Sequence, residues 1–168
     1  MQKRDLLIGA IILVIIGAII YWANRPSSKK SKQQATPAPT ASVQEVIENQ
    51  FKIQIPETAE KAELKDVAGG SASGIATREF KNGKFSHTVL ADLPDPKAGE
   101  FYQGWLVKGK EGDVDFSFIS TGRLRLAKGG YLLEFSSAKD YSDYKNVAVT
   151  LETKADNKME TRILDGSF

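Results

Sequence analysis

His87 is the only imidazole in a chain of 168 residues, and the chain has no Cys. Those two facts decide most of the available chemistry. Without Cys there are no disulfides, thiolate metal sites, iron–sulfur clusters or cysteine nucleophiles. One His cannot build a zinc site of several imidazoles or a His-x-x-x-His metalloprotease helix. Ser is plentiful, but no Gly-x-Ser-x-Gly elbow occurs. His87 falls in the run Phe85-Ser-His-Thr-Val89, which reads as a strand that places it on the side of Phe85 and Val89. That is the setting of a partly buried, hydrogen-bonded His, not of a base with local partners.

The remaining chemistry-bearing residues are carboxylates and aromatics. Asp92, Asp95, Asp140 and Asp143 are candidates to converge on Ca²⁺, an ion that suits oxygen ligands from loops, but no twelve-residue calcium loop is present. Asp113 and Asp115 point to one face of a predicted strand and read as a solvated edge. Glu45 and Glu48 with Lys52 form a solvated helix face. Gly69 to Gly74 is Gly-rich but leads into a strand, so it is no phosphate cradle. Tyr102 and Trp105 alternate along one run, the pattern of a core strand that can also line a groove. The expectation is therefore no catalytic residue, no metal and no cofactor. The candidate binding surface is Tyr102, Trp105, Asp140 and Asp143.

These residues must be positioned by β-structure. Ser42-Val-Gln-Glu45 is a capping box that opens a short helix over Val43–Phe51, with Val43, Val46 and Ile47 on one face. Pro56 ends a short extended lead-in. From residue 62 the period turns to two. The expected runs are ELKDV, GIATREF, KFSHTVLADL, EFYQGWLVK, DVDFSFIS, GRLRLA, YLLEFSS, NVAVTLET and METRILDGSF. Asn82-Gly83 tolerates positive φ at both turn positions and closes a hairpin between GIATREF and KFSHTVL. Short strands at this spacing, roughly 10–14 residues, predict an antiparallel sandwich or barrel. No helix long enough for a parallel crossover follows residue 66. Alternation places Phe101, Trp105 and Val107 on one face of their strand and Tyr102 and Leu106 on the other.

Ahead of this module the sequence changes character. Leu6 to Ala23 holds 18 residues without a charge, a helix of about 27 Å, close to the hydrocarbon thickness of a bilayer. Tyr21 and Trp22 suit the headgroup region. A cleaved signal peptide has a shorter apolar core and a small-x-small site, which Tyr21-Trp22-Ala23 does not offer. The reading is an uncleaved anchor in a cell membrane. Residues 24–41 carry no aliphatic side chain larger than Ala and read as a disordered Pro/Ser/Lys-rich stalk. Residues 1–40 hold six basic side chains against Asp5, a net of +5, while residues 41–168 net −3. The basic segment flanks the apolar run and reads as lipid-facing, and the mildly acidic module excludes a nucleic-acid surface. The organisation expected is a stub (1–5), a transmembrane helix (6–23), a linker (24–41), a helical lead-in (42–61) and a β-sandwich (62–168).

Leu90 to Phe168 carries a distinctive order of pieces. Ala91-Asp-Leu-Pro94 is followed by Gly99-Glu-Phe-Tyr-Gln-Gly-Trp-Leu-Val107, then Val147-Ala-Val-Thr-Leu-Glu152 and Ile163-Leu-Asp-Gly-Ser-Phe168. This resembles the C-terminal, extracytoplasmic domain of the anti-sigma-K factor family: a Leu-Pro turn, a Tyr-x-x-Trp-Leu-Val strand, a Val-Thr-Leu-Glu-like strand and a closing Leu-x-Gly. The resemblance implies an immunoglobulin-like antiparallel β-sandwich displayed outside the membrane. That family's cytosolic zinc-binding helical domain has no counterpart in the five residues before the apolar run, so no direct sigma-factor binding is expected. The expected partners are the bilayer, through residues 6–23, and an envelope or membrane protein. The alternatives are a structural surface component assembled through strand edges, or an anchored hydrolase.

Overall fold

The structure is a computed structural model that describes residues 42–168. The predicted stub, transmembrane helix and linker lie outside the described residues. The chain enters through helix α1 (Val43–Phe51), held by the predicted capping box. Ser42 Oγ accepts from the Glu45 amide at 3.2 Å, and the Glu45 carboxylate accepts from the Ser42 amide at 3.0 Å. Lys52 ends the helix with φ 57°. Ile47, Phe51 and the following Ile55 are buried against Ile75 and Leu90, so the lead-in packs on the sheet.

Nine strands follow: β1 (Glu60–Asp66), β2 (Ser73–Lys81), β3 (Lys84–Asp92), β4 (Phe101–Lys108), β5 (Ser117–Arg123), β6 (Arg125–Ala127), β7 (Gly130–Ser137), β8 (Asn146–Glu152) and β9 (Thr161–Ser167). Asn82 and Gly83 take φ 53° and 72°, which places the predicted tight turn between β2 and β3, with Phe80 opposite Phe85. All pairings are antiparallel, in the order β5-β4-β8-β9-β1-β2-β3-β7-β6.

Of the two arrangements expected, sandwich and barrel, the strand pairing lies nearer the barrel. The module is all-β and antiparallel, but its strands bond into one continuous sheet instead of two. The reason lies in residues 117–127. That segment pairs with β4 as far as Arg123, breaks at Leu124, and pairs with β7 from Arg125. The Leu124 amide is not lost at the break, because it donates to Tyr102 O at 2.9 Å. The two ends of the sheet are thus neighbouring parts of one stretch of chain. Gly104 of β4 marks how tightly they meet: a Cβ there would lie 2.7 Å from Leu133 Cδ1 of β7 and 2.8 Å from Thr121 Oγ1 of β5.

One correction concerns residues 113–115. They form a turn, not the start of a strand, because Gly109 and Gly112 take positive φ and Asp113 Oδ2 accepts from the Lys110 amide at 2.8 Å. Asp113 and Asp115 therefore do not share a strand face.

The core has three parts. The main one joins Phe85, Val89, Tyr102, Leu106, Leu133, Val147, Val149 and Leu164. The second lies under α1. The third holds Trp105, Val107 and Ala148 beneath Phe116, Phe118 and Met159. Strand β4 feeds the first and third from alternate residues, which is the face division its sequence predicts.

Candidate functional site

The residues singled out in the sequence do not converge. Trp105 is 0% exposed. Its indole N–H donates to Thr150 Oγ1 at 2.7 Å, and its ring meets Phe118 edge-on at 5.6 Å. Tyr102 is 4% exposed, and its hydroxyl donates to Pro94 O at 2.9 Å. Its ring meets Tyr131 edge-on, and the Tyr131 hydroxyl donates to Asp95 at 2.8 Å. Burial and the Asp95 carboxylate push Tyr131 up to about 12. Tyr102 and Trp105 thus offer no surface, and Asp95 is occupied by a tyrosine. The Leu-Pro turn and the Tyr-x-x-Trp strand that carry the family resemblance are one structural unit, the turn being tied to the strand by the Tyr102 hydroxyl.

Asp140 and Asp143 are exposed, on the loop between β7 and β8. Asp140 Oδ1 accepts from the Ser142 amide at 2.8 Å and shapes that loop. Asp143 accepts from Lys108 Nζ at 2.7 Å. The hydrogen bond to Lys108 holds Asp143 below the usual carboxylate range and lifts Lys108 in turn. These groups line a polar cleft of about 380 Å³ with Ser117, Lys139, Ser142 and Tyr144. Beneath it, Tyr141 packs edge-on against Phe85 and Tyr144. The loop is therefore an aromatic plug with charged groups on top.

Sequence reasoning missed a second cleft of about 460 Å³, between the β4–β5 turn and β8–β9, lined by Val107, Lys110, Phe116, Arg162 and Asp165 among others. Arg162, in its lining, lies 3.4 Å from Asp165. Phe116 and Arg162 also line an adjoining cleft with Phe118, Lys158 and Met159.

It also missed a buried polar cluster. Arg78 is 2% exposed. Its Nε and Nη2 donate to the two Glu60 carboxylate oxygens, both at 2.8 Å, and Nη1 donates to Tyr144 O. Its guanidinium lies 4.0 Å from the centre of the Phe168 ring. His87, directly opposite Arg78 in the β2–β3 ladder, is 1% exposed. Its Nδ1–H donates to Thr77 O at 2.9 Å, and its Nε2 has no partner. Burial pushes the imidazole down to about 4. A visible signal existed: Arg78 follows Ala76 by two residues on a strand whose Ala76 faces the core, so a charge was placed inward.

The arrangement bears directly on catalysis. His87 is neutral, enclosed and remote from solvent, so it cannot relay protons for a hydroxyl nucleophile at the surface. Among the described residues no three His, Asp or Glu side chains gather as metal ligands. Fold and clefts together define an antiparallel β module with clefts on its surface. The model of the family "Anti-sigma-K factor rskA, C-terminal" matches residues 6–161, most of the chain, and the protein belongs to that family. The match begins at the first residue of the uncharged run. Comparison with curated proteins and with solved structures found no match.

Proposed function

We propose that this protein is a single-pass envelope protein whose β module stands outside the cytoplasm and works by contact with a membrane or envelope protein, without catalysis. Residues 6–23 cross the bilayer in this reading, and residues 24–41 are the stalk. The observation that carries it is the 18-residue uncharged run, at which the family match also begins. Among the described residues no helix is long and apolar enough to cross a membrane, so the run 6–23 is the segment the reading depends on. The module acts as an interaction or sensor-like part. Enclosure of the sole imidazole supports the non-catalytic role.

Because the chain lacks Cys, its topology can be read by single-cysteine labelling. Asp156→Cys, on the exposed β8–β9 turn, is expected to react with a membrane-impermeant maleimide on intact spheroplasts. Gln2→Cys is expected to react only after lysis. The reverse pattern would place the module in the cytoplasm and remove the reading.

A further inference from the structure

We propose that His87 and Arg78 form an acid-sensitive lock that holds the β7–β8 loop and the end of β9 against the sheet. The inference deepens the sensor-like reading above and rests on it for physiological meaning, with acid as the stimulus.

Three elements meet at this pair. From β1, Glu60 grips the guanidinium. From the β7–β8 loop, Tyr144 O accepts from it. From the end of β9, the Phe168 ring stacks on it and meets the His87 ring edge-on at 6.1 Å. The loop and β9 are also tied to each other, because the Phe168 amide donates to Lys145 O at 3.0 Å and Ser167 Oγ to the same oxygen at 3.2 Å.

The charges facing His87 are unfavourable to a proton. On β2 there is the Arg78 cation, which itself disfavours imidazolium. Glu60, which grips Arg78, is half exposed and also feels Lys145 of the β7–β8 loop, and no carboxylate offsets the charge at His87. On β7 the residue opposite His87 is Phe135, which carries no charge. Protonation would give Nε2 a hydrogen with no acceptor, beside a second buried cation. A buried donor left unpaired is costly, and a buried unpaired charge more so. The relief is to release the covering pieces, which are the loop and the end of β9, and to let water reach the ring.

The sign follows from proton binding. The closed imidazole is held down to about 4 against 6.5 when solvated, so the open form binds the proton first. Closure is fully favoured above pH 6.5 and weakens as pH falls toward 4, by about tenfold per pH unit.

The test uses the full chain in nanodiscs. The single imidazole gives one unambiguous set of NMR signals, expected to titrate near pH 4. Hydrogen exchange, corrected for intrinsic rates, is expected to rise about tenfold per pH unit in peptides covering residues 138–145 and 163–168. Peptides of β4 and β8 are expected to stay protected. His87→Gln and His87→Phe are expected to abolish the acid response of the loop and the β9 end above pH 4.5, before the Glu60 and Asp143 pairs begin to lose their own contribution. Three results would each overturn the lock: titration near 6.5, an unchanged acid response in the variants, or opening of all strands together. If both variants failed to fold, the titration and the peptide contrast in the unaltered chain would still decide. Topology plays no part in these readouts, so a failed lock and a failed envelope assignment give different results.

Discussion

Trp105→Ala is expected to lower the unfolding free energy by about 4 kcal/mol, a large fraction of the total for a domain of this size. The indole is wholly enclosed, between Val107 and Ala148 and under Phe116, Phe118 and Met159. Ala would leave a cavity that the backbone cannot close, because β4 is paired on both sides, with β5 and β8. It would also strip Thr150 Oγ1 of its donor, leaving that hydroxyl only its own bond to Gln103 O at 3.3 Å. Trp105→Phe keeps most of the volume and loses the hydrogen bond, so it should cost about 1–2 kcal/mol. Urea melts of the full chain in mild detergent measure both. If Trp105→Ala melted like the unaltered chain, the indole would not be a core element, and a ligand-facing role would return.

The second large effect falls on the Glu60–Arg78 pair, and it is asymmetric. Glu60→Ala is expected to cost about 3 kcal/mol, because it leaves an enclosed guanidinium without its countercharge. Arg78→Met is expected to cost about half as much, through lost hydrogen bonds. The Glu60 side chain is 50% exposed, so its carboxylate hydrates once freed, and the Met stem fills part of the space. The same melts give the order. Equal losses, or a greater loss for Arg78→Met, would mean that burial of the cation is not what sets the cost.

These two sites show what the sequence makes legible. Local signals translated directly: the Ser42–Glu45 box caps α1, and Asn82-Gly83 turns β2 into β3. Each needs only residues within one turn of chain. The alternation of β4 also translated, because side-chain direction in a strand is fixed by parity. It divided Tyr102 from Trp105, although both proved to be core residues. The junction between the two ends of the sheet was hidden, since it depends on a change of partner at Leu124 that no local pattern encodes. The partners of Arg78 were hidden for the same reason: it finds Glu60 18 residues back and Tyr144 66 residues ahead. The cleft around Arg162 joins the β4–β5 turn to β9, and only tertiary pairing brings those together. The family resemblance was legible because its residues build one unit, the turn at Pro94 pinned by Tyr102.

Fractionation of cells decides whether the uncharged stretch anchors this module to a bilayer. Lysed cells are washed in alkaline carbonate and sedimented at high speed, and the full-length product is followed. The protein is expected to stay in the pellet at unprocessed size and to leave only with detergent. Full-length, unprocessed protein in the carbonate supernatant would contradict the anchoring.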